Sequence, residues 1–124
     1  MIVSIPVSVG ELFDKITILE IKSSRITDAD KLKNVQNELA HLNNAVNALT
    51  IPDVSELVAE LKSVNMLLWG IEDYKRLCER QQKFDSTFVE AARQVYLKND
   101  KRAAIKKEIN AMCGSTIVEE KSYE

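Results

Sequence analysis

Apolar residues recur at alternating steps of three and four positions through most of this chain, and that spacing constrains its fold most strongly. The clearest repeat runs unbroken through Leu32, Val35, Leu39, Leu42, Val46 and Leu49. Such a repeat places the side chains on one stripe of a helix, whereas a strand needs a period of two. The 124 residues include only 3 Gly and 2 Pro, too few turn-forming residues for a many-stranded sheet. The sequence therefore predicts a single all-α domain over residues 1–124.

The first two helices are predicted to form an antiparallel hairpin. A capping box at Ser8–Glu11 begins the first helix. Its apolar stripe then runs through Val9, Leu12, Ile16, Leu19, Ser23 and Ile26. Thr27–Asp30 ends this helix and begins the second, and so short a link between two apolar stripes is typical of a helical hairpin.

The rest of the chain is predicted to form three more helices, giving a bundle of about five. The third is a long central helix from about Val54 to about Gln82. A fourth begins at Phe84–Ser86. A fifth is capped by Asn99–Asp100 and ended by Gly114. Both chain termini are expected to be short, extended segments that lie side by side.

The middle of the third helix is apolar on nearly all sides. Between residues 64 and 71 it carries Met66, Leu67, Leu68 and Trp69 in succession. A helix that is apolar all round is covered all round. In a domain this small the cover is expected to come from a second copy, so the sequence predicts a homodimer packed through the middle of helix three.

Composition excludes several classes of function. Seventeen Lys and Arg against 19 Asp and Glu give a net charge of -2, so bulk attraction to nucleic acid is not expected. No apolar run approaches the roughly 18 residues that a membrane-spanning helix needs. The first residues lack the basic region of a signal peptide, so we expect a mature cytoplasmic chain.

The histidine and cysteine content argues against a zinc site. His41 is the only histidine, and Cys78 and Cys113 lie far apart without CxxC spacing. We expect both thiols to be reduced and buried. Neither a metal nor a cofactor is expected.

Candidate chemistry comes from polar side chains that project onto apolar helix faces. Eight residues meet this condition: Glu20, Asn65, Trp69, Glu72, Arg76, Arg93, Arg102 and Lys106. One interpretation is structural, with ion pairs and Arg stems at the edge of the bundle. The other is a polar cleft that binds an anionic small molecule, with Arg as a bidentate clamp. Catalytic residues are not assigned by either.

Four segments of the sequence resemble a known family. They are Pro6–Lys22, Leu68–Asp73, Val95–Lys106 and Ile117–Tyr123. Together they are similar to a family of small bacterial and marine-phage-associated proteins that is defined only as a domain of unknown function. The resemblance spans nearly the whole chain and implies no activity and no site residues. Surface-polysaccharide and glycosyltransferase genes near some relatives imply a nucleotide-sugar or polysaccharide context.

A second resemblance concerns the first helix alone. Glu11–Ile16 followed by Leu19 and Arg25 is similar to the first helix of the all-helical chorismate mutases, dimeric enzymes that clamp a dicarboxylate and need no cofactor. By that likeness the substrate carboxylates would be bound by Arg76, Arg93 and Arg102, and charge would be stabilised by Glu20 or Glu72. The full set of cations cannot be placed on matching positions, so the likeness supports architecture more than activity.

Three functional hypotheses follow from these patterns. The leading one is a non-catalytic dimeric helical module that binds a partner protein or a phosphorylated or carboxylated small molecule. The first alternative is a cofactor-free enzyme of the chorismate-mutase type. The second is a magnesium-dependent nucleotide pyrophosphohydrolase, which would use Glu56, Glu60, Glu72 and Asp73 as carboxylate ligands.

Overall fold

A computed structural model describes residues 1–122 and folds them into four α-helices. They are α1 (Val9–Arg25), α2 (Ala29–Asn47), α3 (Ser55–Gln81) and α4 (Ser86–Cys113). The described residues form no strand. The prediction of an all-α fold is therefore confirmed.

The prediction of five helices is wrong at one point, because α4 continues through Asn99 and Asp100 without a break. These two residues were expected to cap a fifth helix. No Gly or Pro precedes them within α4, and Asn or Asp inside a helix costs less than about 1 kcal/mol relative to Ala. Their side chains make other contacts, since Asn99 Oδ1 accepts from Arg102 and Asp100 Oδ1 accepts from Lys121, each at 3.4 Å.

The hairpin of α3 and α4 carries the main apolar core. Gln82 ends α3 in the left-handed conformation, with φ 52°. Asp85 then begins α4, and its Oδ1 accepts from the backbone N–H groups of Thr87 and Phe88, each at 3.1 Å. The buried cluster between the two helices consists of Leu61, Val64, Leu68, Ile105 and Ile109.

Helix α1 contacts all three other helices and is buried along two stripes. The first stripe is the predicted one, of which Leu12, Ile16 and Leu19 are buried. The second was not predicted and consists of Gly10, Asp14, Thr17 and Ile21. Because both stripes are covered, α1 is the central helix of the bundle.

The closest approach between α1 and α4 is at Gly10. A Cβ atom there would lie 2.5 Å from the backbone oxygen of Lys106 and 2.9 Å from Oδ1 of Asn110. That same Oδ1 accepts a hydrogen bond from the backbone N–H of Gly10 at 2.6 Å. An N–H in the first turn of a helix has no partner within its own helix. Asn110 therefore provides the hydrogen-bond acceptor for this N–H of α1, and only glycine at position 10 leaves room for its side chain.

Helix α2 contacts α1 and neither α3 nor α4. Residues 26–28 link the two helices, so they pack as the predicted hairpin. No residue of α2 is fully buried, although most of its apolar stripe is half-buried. The α3–α4 core is therefore built without α2.

The chain after α4 turns back along that helix, whereas we expected it to lie beside the N-terminal segment. Glu119 pairs with Lys106, and Lys121 pairs with Asp100 further back along α4. Residues 115–122 form no helix or strand. The C-terminal segment thus runs antiparallel to α4.

Two further observations concern the cysteines and the apolar character of the helices. Cys78 is buried, Cys113 is half-buried, and both are free thiols. Within residues 1–122, none of the helices has the length and apolar character that a membrane crossing requires.

Candidate functional site

The buried carboxylate of Asp14 joins α1, α3 and α4. Its side chain is 1% exposed. Oδ1 accepts hydrogen bonds from Nε of Arg102 and Nδ2 of Asn65, both at 2.9 Å, and Oδ2 accepts from Nη2 of Arg102 at 2.5 Å. Asn65 Nδ2 also donates to the hydroxyl of Thr17 at 2.9 Å. We call Asp14, Thr17, Asn65 and Arg102 the Asp14 cluster.

The contacts of the Asp14 cluster keep its central ion pair charged. Burial alone would raise the pKa of Asp14, but hydrogen bonds from Arg102 and Asn65 and the nearby positive charges lower it below its usual value. The hydrogen bond to Asp14 in turn raises the pKa of Arg102. Among the described residues, every buried side-chain polar atom has a hydrogen-bond partner. The cluster is therefore a satisfied, fixed arrangement at neutral pH.

A cavity of about 320 Å³ lies between α1 and α3 beside the Asp14 cluster. We call it the α1–α3 cleft. Its lining residues are Ile18 and Ile21 of α1, Arg102 of α4, and Asn65, Leu68, Trp69, Glu72, Asp73 and Arg76 of α3. Aliphatic side chains and one indole form its walls, with polar groups placed at a few points. That composition is typical of a small-molecule site.

The charged groups of the α1–α3 cleft differ in how they are paired. Glu72 contacts Lys75 at 3.3 Å, and Arg102 is held by Asp14. Arg76 is exposed and has no ion-pair partner among residues 1–122. The guanidinium of Arg76 is thus the cation of the cleft that remains available to an anionic ligand.

A second cavity, of about 360 Å³, lies between α4 and the C-terminal segment, and we call it the tail pocket. It is lined by Glu11, Asn99, Arg102, Ala103, Lys106, Glu119 and Lys121. Lys106 Nζ donates to Glu11 Oε2 at 2.7 Å and to Glu119 Oε2 at 2.8 Å. Burial lowers the pKa of Lys106, but these two carboxylates outweigh burial and raise it overall. Arg102 lines both cavities and lies between them.

The structure brings together some of the residues that the sequence singled out. Asn65, Trp69, Glu72, Arg76 and Arg102 all line the α1–α3 cleft. Lys106 lines the tail pocket instead. Glu20 lies in a third cavity, 3.8 Å from Lys62. Arg93 is exposed and pairs with Glu90 at 2.9 Å.

Sequence reasoning missed the acid at the centre of the site. Asp14 was not selected because the predicted stripe of α1 was placed on its other face. A signal was present, since Gly10, Asp14, Thr17 and Ile21 follow the same spacing of four, three and four. Glu119 was not selected from the sequence either. It is exposed, yet its carboxylate reaches the mostly buried Lys106.

Among residues 1–122, the side chains that the two enzyme hypotheses name are brought together only in part. The guanidinium groups of Arg76 and Arg102 share a cleft, but Arg93 does not line it. Among the described residues, no group of three or more His, Cys, Asp or Glu side chains is placed to hold a metal ion. Within one chain, the α1–α3 cleft thus brings together Arg76, Arg102 and Glu72 of the residues that the first enzyme hypothesis names.

Replacing Asp14 with Asn is expected to destabilise the fold and to reduce its sensitivity to acid. Because folding lowers the pKa of Asp14, its contribution to stability is fully present above the unfolded pKa of ~4 and is lost as the pH falls through the folded pKa. At pH 7 the Asp14→Asn variant should lose roughly 3–5 kcal/mol of unfolding free energy, as when a buried ion pair is broken. Urea unfolding followed by circular dichroism at pH 7 and pH ~3 measures this.

The exposed pair of Glu90 and Arg93 provides the control for this measurement. The Glu90→Gln variant should remain close to wild type at both pH values, because exposed ion pairs contribute little. The difference in unfolding free energy between wild type and Asp14→Asn should be smaller at pH ~3 than at pH 7. Equal stability of the two variants at pH 7 would contradict the role assigned to Asp14.

Comparison with known proteins identifies a family. The model of a family of unknown function, DUF6165, matches residues 2–124. No curated protein and no solved structure matches the chain. The resemblance to a family defined only by unknown function is thus confirmed over nearly the whole length, and the chain belongs to the DUF6165 family.

Proposed function

We propose that this protein is a non-catalytic, dimeric helical module whose α1–α3 cleft binds a phosphorylated or carboxylated small molecule. The observation that supports this most directly is the guanidinium of Arg76, which has no ion-pair partner among residues 1–122 and lies at an apolar cleft lined by Trp69. Guanidinium groups bind phosphate and carboxylate through two parallel hydrogen bonds. An aromatic wall beside such a group favours a ligand with a ring as well as an acid.

The other residues of the cleft narrow the class of ligand. Trp69 offers a flat surface for a sugar or other ring. The carboxylates of Glu72 and Asp73 are hydrogen-bond acceptors, which suits a ligand with hydroxyl groups. A volume of about 320 Å³ is at the small end for ligand sites. A phosphorylated or acidic sugar unit fits these features best, and it agrees with the polysaccharide context that the family resemblance implies.

A binding role suits the Asp14 cluster better than a catalytic one. Both carboxylate oxygens of Asp14 already accept hydrogen bonds from Arg102, and its pKa is lowered. A general acid or base works best when its pKa lies near the operating pH. Asp14 therefore positions Arg102 and Asn65 at the end of the cleft and does not exchange a proton with a ligand.

The outer face of α3 supports the dimer in this proposal. Met66 and Leu67 are 44% and 53% exposed, although they lie in the most apolar part of the chain. A two-fold contact centred near Leu67 would pair α3 with its own copy in antiparallel orientation. Such a contact would cover the exposed Met66 and Leu67 of each chain with the same apolar patch of the other, which favours a second copy as the partner.

A thermal-shift screen tests the ligand proposal. The purified protein would be mixed with sugar phosphates, acidic sugars, nucleotide sugars, nucleotides and dicarboxylates. A ligand at ~100 times its dissociation constant adds about 2.7 kcal/mol, an increase in Tm on the order of 10 °C. We expect a response from phosphorylated or acidic sugars, with the bound molecule recovered unchanged. A flat screen, or conversion of the ligand, would contradict the proposal.

Two arginine variants show whether a responding ligand occupies the α1–α3 cleft. Arg76→Ala removes the unpaired guanidinium and should weaken binding by about 10- to 100-fold in calorimetric titration, the effect of a charged hydrogen bond. Arg93→Ala is the matched control, because Arg93 is also exposed but lies outside the cleft. Equal loss in both variants would show that general charge attraction, and not the cleft, binds the ligand.

Light scattering during size-exclusion chromatography tests the dimer. Wild type is expected at twice the 14.0 kDa of one chain, and Leu67→Glu at the mass of one chain, because a charge cannot be buried unpaired in the contact. Leu97→Glu is the control, since Leu97 is also exposed, at 40%, but lies on α4. A monomeric wild type at tens of micromolar, or a dimeric Leu67→Glu variant, would contradict the assignment.

A further inference from the structure

The C-terminal segment places one of its own carboxylates in the tail pocket. Glu119 Oε2 lies 2.8 Å from Lys106 Nζ. The Lys106 side chain is 10% exposed, whereas that of Glu119 is 54% exposed. Lys106 is therefore a fixed part of the pocket wall, and Glu119 approaches it from the solvent side.

The tail pocket has the donors that an anion needs. Lys106 supplies an ammonium group. Arg102 uses Nε and Nη2 to hold Asp14, while within the described part of the chain its Nη1 makes only a 3.4 Å hydrogen bond to Asn99 and can donate further. The positive charges of Lys106, Lys121 and Arg102 all lower the pKa of Glu119, mainly through the contact with Lys106. The pocket thus favours a negative group at the position of the Glu119 carboxylate.

The groups that would bind an anion are held independently of Glu119. Lys106 keeps its 2.7 Å contact with Glu11, and Arg102 keeps its contacts with Asp14. Both cations belong to α4, which is anchored to α1 by the close contact at Gly10. The cationic wall of the tail pocket would therefore stay in place if Glu119 left it.

The segment that carries Glu119 lies outside the helical framework. Residues 115–122 have no helix or strand. Lys121 meets Asp100 at 3.4 Å in an exposed ion pair, which contributes little to stability. Ser115 Oγ accepts from the N–H of Val9 at 3.4 Å, four residues before Glu119. Glu119 can therefore move away without a change in the helices.

We propose that the tail pocket is a second binding site, for a compact phosphate group, and that Glu119 is an internal competitor which occupies it in the free protein. A phosphate would accept from Lys106 Nζ and Arg102 Nη1 where the Glu119 carboxylate now lies. Binding would release residues 116–122 from α4, while Ser115 stays hydrogen-bonded to Asn110. This site is separate from the α1–α3 cleft and does not need Arg76.

Calorimetric titration with inorganic pyrophosphate tests the proposal with two adjacent variants. Glu119→Ala removes the competitor and should bind at least about tenfold more tightly than wild type, because the apparent affinity of the wild type is its intrinsic affinity multiplied by the fraction of molecules in which Glu119 has left the pocket. Glu120→Ala changes the net charge equally one position away and should bind like wild type. Equal affinity in the two variants, or no binding by either, would overturn the proposal.

Two further measurements locate the bound anion and follow the release of the C-terminal segment. Arg76→Ala should bind pyrophosphate like wild type, and weaker binding would place the anion in the α1–α3 cleft instead. In NMR spectra of the wild type, amide signals of residues 116–122 should move to unstructured positions as pyrophosphate is added. In the Glu119→Ala variant, these amide signals should already be at unstructured positions before pyrophosphate is added. Tail signals that stay in place while pyrophosphate binds would also overturn the competitor role.

Discussion

The close packing of α1 on α4 at Gly10 is the constraint on which the rest of the structure depends. The missing side chain lets the backbone of α1 come within hydrogen-bond reach of Asn110. From that point the two helices run in opposite directions in a fixed register. One turn further along α1, Asp14 meets Arg102, while Glu11 meets Lys106. Both cavities are therefore positioned by one helix contact.

The buried ion pair in this register is better understood as a device for orientation than as a source of stability. Desolvation of two charges offsets much of their attraction, so a buried pair adds little stability overall, although breaking it is costly. What the pair provides is a fixed direction for Arg102, whose guanidinium borders both the α1–α3 cleft and the tail pocket. Asn65 is fixed at the cleft by the same carboxylate. A binding surface held in this way loses little conformational freedom when a ligand arrives.

The local pattern of the sequence was sufficient to predict the helices and part of the cleft. Asn65, Trp69, Glu72 and Arg76 were grouped correctly because they lie on one helix with spacings of four, three and four. Their grouping needs no knowledge of the tertiary fold. The contact of Asp14 with Arg102 does need it, since the two residues are 88 positions apart. Periodicity shows that a second stripe exists on α1 but not which distant cation meets it.

One wrong helix boundary explains why Arg93 was grouped with Arg102. If a helix ended before Asn99, the two guanidinium groups could converge from separate helices. In the continuous α4 they are separated by nine residues, about two and a half turns, and so they lie on opposite faces. The Asn99–Asp100 pair has the composition of a helix start, but nothing in the preceding residues ends the helix. A continuous helix therefore has the lower free energy.

Unfolding free energies of Gly10→Ala and Gly70→Ala test the α1–α4 contact most directly. Gly10→Ala should lose about 1–3 kcal/mol, because its Cβ would collide with the backbone of α4. Gly70→Ala has open space around its Cβ and should gain up to about 1 kcal/mol from helix propensity. Measurement over a tenfold range of protein concentration separates fold stability from association. A Gly10→Ala variant as stable as Gly70→Ala would contradict the account.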